Sequence, residues 1–99
     1  MGDPLELNRA VPGGRVEMFA IEDHDYPEDW FYRFQFYNRE TGKILRYDNA
    51  HDDDDLGWHH RHVSFGENSE IEFLNITAHI ARFLQEVAHL TNTKDTNHD

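Results

Sequence analysis

Residues 30–37, WFYRFQFY, put a large aromatic side chain at almost every second position. With a period of two, Trp30, Tyr32, Phe34 and Phe36 share one face while Arg33 and Gln35 point the other way, the pattern of a half-buried strand. The next five residues, NRETG (38–42), end in glycine and have a common hairpin length, so KILRYD (43–48) is expected to return as the antiparallel partner. An aromatic face of this kind is also found on base-stacking platforms, but no lysines are interleaved with it, and core packing is the better explanation.

Around this hairpin the chain reads as one α+β domain. Residues 1–14 are polar and broken by Pro4, Pro12 and Gly13–Gly14, which predicts a flexible N-terminal arm ending in a turn. RVEMFAI (15–21) is a strand with Val16, Met18 and Ala20 on one face, and EDHDYPED (22–29) is a charged loop. NAHDDDDLGWHH (49–60) has no periodicity and predicts a long loop. His62–Phe65 is a short strand, and EIEFL (70–74) alternates like another. Asn75 is placed to cap a helix on which Ile76, Ile80, Phe83, Leu84 and Val87 form the apolar stripe. His79, Arg82, Glu86 and His89 are expected on its polar side. Residues 91–99 read as a disordered tail, leaving a single domain over 15–90. The predicted architecture is a small meandering antiparallel β-sheet packed by one C-terminal amphipathic helix.

Charge and composition narrow the functions. Nine Lys+Arg against twenty Asp+Glu give a net charge of −11, which excludes wholesale binding to nucleic-acid backbone. An acidic surface with only two lysines suits work at high salt, a halophilic character. There is no basic amphipathic face, apolar span or secretory leader, which predicts a cytoplasmic protein without membrane contact. The absence of cysteine excludes thiolate metal sites and a cysteine nucleophile. No glycine-rich phosphate loop or nucleophile elbow is present. Proton transfer and charge stabilisation are what remain for catalysis.

Two clusters carry such chemistry. In Arg46-Tyr47-Asp48-Asn49, strand geometry puts Arg46 and Asp48 on one face and Tyr47 on the other. Arg46 offers a planar fork of donors for a phosphate or carboxylate. The structural alternative is that Asp48 neutralises Arg46, Tyr47 packs in the core and Asn49 turns the chain. In His59-His60-Arg61-His62, extended backbone projects His60 and His62 from one side, with Arg61 pointing away toward solvent. Imidazoles exchange protons near neutrality. Exposed histidines in a polar loop are the plain alternative, and a metal site from His60, His62 and an aspartate of 52–55 is a further one. The Asp52–Asp55 run lacks the spacing of an EF-hand and reads as a solvated loop tip. If strand 43–48 pairs with the segment starting near His59, Arg46, Asp48, His60 and His62 meet on one face.

The succession WFYRFQFYNRETGKILRYDNAH, HHRHV and EIEFLNITAHIARFLQEV resembles the TumE-type toxin family of prokaryotic toxin–antitoxin operons, over roughly residues 15–90. In that family a tyrosine-rich hairpin leads into an R-Y-D-N motif, an H-x-H motif follows, and a helix closes the fold. Here these are Arg46-Tyr47-Asp48-Asn49 and His60-Arg61-His62. The resemblance implies a growth-inhibiting endoribonuclease, neutralised by a DNA-binding antitoxin of helix-turn-helix type encoded beside it. RNA is the implied substrate, and a homo-oligomer is compatible with it. The predicted chemistry needs no metal or other cofactor. Arg46, Asp48, His60 and His62 would be catalytic, while Tyr47, Asn49, Arg33 and Arg61 would bind substrate. A local patch of Arg33, Arg46 and Arg61 would supply the positive field that the acidic chain otherwise lacks. The rival, from another class, is a non-catalytic protein-interaction module that binds its operon-encoded DNA-binding partner.

Overall fold

A computed structural model describes residues 2–50 and 57–91. Six strands follow one another in space as they do in sequence, each antiparallel to the next. They are β1 (Leu5–Val11), β2 (Gly14–Glu22), β3 (Trp30–Asn38), β4 (Ile44–Asp48), β5 (His60–Val63) and β6 (Ser69–Glu70). One helix, α1 (Ile76–Thr91), covers a single face of the sheet. This is the expected α+β meander with its closing helix.

The alternation of β3 organises the core. Tyr32, Phe34 and Phe36 are buried and face Ala20, Met18 and Val16 of β2 and, for Phe34 and Phe36, Tyr47 and Leu45 of β4. From the helix, Phe83 meets Phe34 and Tyr47 at ring separations of 5.6 and 5.0 Å. Aromatic pairs at such tilted geometries add to the burial of their area. Asn75 caps the helix as expected, its Oδ1 accepting the Ala78 N–H at 2.8 Å.

Three expectations are corrected. Residues 5–11, read as part of a loose arm, form β1 and pair with β2 from Leu5↔Ala20 to Val11↔Gly14. Pro12 and Gly13 make the turn, with Gly13 at φ 78°, a conformation glycine adopts at little cost. The stretch 70–74 is not a full strand, since sheet pairing ends at Glu70 and only the Ile71 N–H continues, to His59 O at 3.0 Å. Its alternation arises from Ile71 and Phe73 packing against the core. His79 does not lie on the polar side of α1 but is buried. The Asp52–Asp55 run and the expected tail beyond Thr91 lie outside the described residues. Among the described residues, no helix is long and apolar enough to cross a membrane.

Candidate functional site

Register decides what the sheet face away from α1 can hold. Across the strands, Arg33 pairs with Asp48, Asp48 with His60 and His60 with Glu70, and in the next row Gln35 pairs with Arg46 and Arg46 with His62. Directly opposed antiparallel residues stand within side-chain reach. Arg46, Asp48, His60 and His62 therefore converge, although ten residues separate the two motifs.

Asp48 is the hub. The residue is 5% exposed, and its carboxylate accepts the Arg46 Nε–H at 2.8 Å through Oδ2. His60 Nδ1 stands 3.7 Å from Asp48 Oδ1, and His62 Nε2 stands 3.8 Å from Oδ2. The two imidazoles are nearly perpendicular, with centroids 5.4 Å apart. His60 is 1% exposed and donates from Nε2 to the Gly57 carbonyl at 2.5 Å, which turns its Nδ1 toward Asp48. The His62 side chain is 28% exposed and that of Arg46 39%. The sequence reading set both imidazoles against substrate, but only His62 is open to solvent. A concavity of about 670 Å³ lies on the same face over β1–β3, lined among others by Glu6, Glu17, Arg33 and Gln35. Arg33 borders both it and Asp48.

Tyr47, Asn49 and Arg61 do not join this group. Tyr47 is fully buried on the helix side and donates its hydroxyl to Glu86 Oε1 at 2.5 Å. Burial, then the bond to Glu86, pushes its phenol up. Arg61 also points to the helix side and not to solvent, and pairs with Glu86 through Nε and Nη2. The bond to Glu86 holds its guanidinium above the ordinary value, against burial. Burial disfavours the charged form of Glu86, but the hydrogen bonds from Arg61 and Tyr47 outweigh it and hold the carboxyl below its usual value. The expected three-arginine patch thus reduces to Arg33 and Arg46. Asn49, fully buried, clamps the end of β4 to the start of β3, accepting the Tyr32 N–H and donating to Trp30 O at 2.6 Å.

A second polar assembly on the helix side was not anticipated. His59 lies flat against Phe73, ring centroids 4.8 Å apart, accepts the Tyr32 hydroxyl at Nδ1 (2.9 Å) and donates from Nε2 to Glu28 Oε1 (2.6 Å). Burial, then the charges of Asp48 and Glu28, push the Tyr32 phenol up. Glu28 and Asp29 have φ of 55° and 66°, left-handed values uncommon outside glycine, and this turn carries the Glu28 carboxylate to His59. His79 lies among Tyr32, Tyr47 and Phe73 at centroid distances of 4.7, 5.3 and 4.9 Å. Among the described residues its buried Nε2 meets no hydrogen-bond partner. Burial, followed by the charges of His59 and Arg82, pushes it down to about 4, so it is neutral near pH 7.

Neither the curated proteins nor the solved structures compared with this chain contain a match. The family model described as Toxin TumE matches residues 9–91, a span that includes both motifs, β2 to β6 and all of α1. With most of its length inside that match, the chain belongs to the TumE toxin family, and a toxin of this family implies a cognate antitoxin as its partner.

Proposed function

We propose that this toxin is an endoribonuclease that cleaves RNA by a metal-independent attack of the ribose 2′-hydroxyl. The observation that carries the reading is the convergence of Arg46, Asp48, His60 and His62 on the open sheet face. His62, the imidazole that solvent reaches, takes the proton from the 2′-hydroxyl. The 2′-oxygen then attacks the adjacent phosphorus while Arg46 holds a non-bridging oxygen as negative charge grows there. The 5′-oxygen leaves with a proton from water, and the products are a 2′,3′-cyclic phosphate and a 5′-hydroxyl end. Asp48 is a positioning residue held by Arg46, and His60, enclosed between Gly57 and Asp48, acts through Asp48 instead of touching RNA. Arg33 extends the positive strip toward the concavity. Its acidic lining, Glu6 and Glu17, steers RNA to the arginine end.

The test is cleavage of a defined RNA by the purified chain in EDTA, with the ends identified chemically. His62→Ala should lose about 100-fold or more in rate, the usual scale of a general base, with an unchanged circular dichroism spectrum. Growth arrest that persists undiminished in folded His62→Ala would replace this reading by the second one, a non-catalytic module. What favours that second reading is an apolar groove of about 190 Å³ between β1 and α1, lined by Leu5, Leu7, Met18, Ala20, Ile80 and Leu84. On an acidic protein it suits a basic, DNA-binding antitoxin of helix-turn-helix type encoded in the same operon.

A further inference from the structure

We infer that Asp48, His60 and His62 form a binding site for one divalent transition-metal ion of the zinc class, and that the ion switches the RNA-cleaving centre off. Each residue offers one donor atom, and these atoms lie within 4.8 Å of one another. Donors around a single zinc ion at about 2.0–2.2 Å stand roughly 3.3 Å apart. The imidazoles approach different oxygens of Asp48, His60 Nδ1 at 3.7 Å from Oδ1 and His62 Nε2 at 3.8 Å from Oδ2, so binding one ion draws three donors already within 4.8 Å of one another closer together. Both separations are longer than a hydrogen bond.

The surroundings are those a metal site requires. His60 donates its Nε2–H to the Gly57 carbonyl, which fixes the tautomer and aims Nδ1 at Asp48. Arg46 holds the Asp48 carboxylate through Oδ2. Outer contacts of this kind orient first ligands and keep them basic. Two imidazoles and one carboxylate select zinc, copper, nickel or cobalt over magnesium or calcium, which prefer all-oxygen sets. The carboxylate is Asp48 on β4, while the Asp52–Asp55 run lies outside the described residues.

The second half of the inference rests on the ribonuclease reading. A bound ion occupies Nε2 of His62, the atom that otherwise accepts the 2′-hydroxyl proton, so metal and catalysis exclude each other.

Isothermal titration of the metal-stripped full chain with zinc chloride at neutral pH should give one ion per chain, and magnesium chloride no heat. The heat should vanish in His62→Ala and persist when the exposed His24 and His89 are both replaced by alanine. On zinc addition, nitrogen-15 NMR should shift Nδ1 of His60 and Nε2 of His62. Stoichiometric binding that survives in folded His62→Ala, or shifts confined to other histidines, would overturn the site. Zinc should stop RNA cleavage and EDTA restore it, and cleavage indifferent to saturating zinc would overturn the switch. If the metal-free chain cuts no RNA at all, the ribonuclease reading and the switch fall together, while the titration still decides the site.

Discussion

Acidification from pH 7 to pH 5 should cost this fold about 2 kcal/mol through His79 alone. The ring sits 2% exposed among Tyr32, Tyr47 and Phe73, and its pKa falls from 6.5 when unfolded to about 4 when folded. Because the folded value is the lower one, the unfolded chain binds more protons between these two values. Stability therefore drops as pH falls through that window, by about 3 kcal/mol once both states are protonated. The assay is urea unfolding of the wild type and of His79→Leu at both pH values. With a urea slope of about 2 kcal/mol per molar, the His79 contribution moves the wild-type midpoint by about 1 M more than the variant's. Carboxylates that titrate near pH 5 act equally in both proteins and cancel in the difference. Glu86, held below its ordinary carboxyl value, loses its contribution only at lower pH. Equal midpoint shifts in wild type and variant would refute the assignment of a buried neutral imidazole at position 79.

Glu86→Gln should destabilise the chain by about 2 kcal/mol, because Arg61 and the Tyr47 hydroxyl lose a shared charged acceptor; a thermal or urea melt measures it, and the wild type should lose the same advantage as pH falls through the folded Glu86 value. Gly14→Ala should cost about 3 kcal/mol or more, because a Cβ there would lie 1.8 Å from the Tyr37 carbonyl oxygen, and a midpoint within error of wild type in urea would contradict that contact.

Both motifs of the site were legible because each depends on local geometry alone. Period-two alternation settles which face Arg46 and Asp48 share, and likewise His60 and His62, and one antiparallel pairing brings the two faces together. His79 was misplaced because its chemistry outweighed its spacing. Positions 76, 79, 80, 83 and 87 are one helical stripe, and a polar residue within it was assigned to the polar side. Strand β1 was missed because an edge strand needs to contribute little, here Leu5 and Leu7 alternating with Glu6 and Asn8, and the prolines and glycines around it read as a loop. The Glu28–His59–Tyr32 chain has no local signature. His59 is 31 residues from Glu28 and 27 from Tyr32, and the chain depends on a left-handed turn at residues outside the usual glycine.

Arg61 shows how closely the site and the core are tied. Alternation correctly separated it from His60 and His62, but the face it turns to lies under α1, where Glu86 receives it. One strand of four residues thus sends two imidazoles to Asp48 and, between them, a guanidinium to the helix. A slip of β5 by a single residue would bury His60 and His62 beneath α1, and Arg61 would replace them beside Arg46. Glu86 would then stand half-buried without its cation, a cost of about 3 kcal/mol or more. The ion pair on the covered face therefore specifies the register that assembles Arg46, Asp48, His60 and His62 on the open one, although neither Arg61 nor Glu86 touches that group.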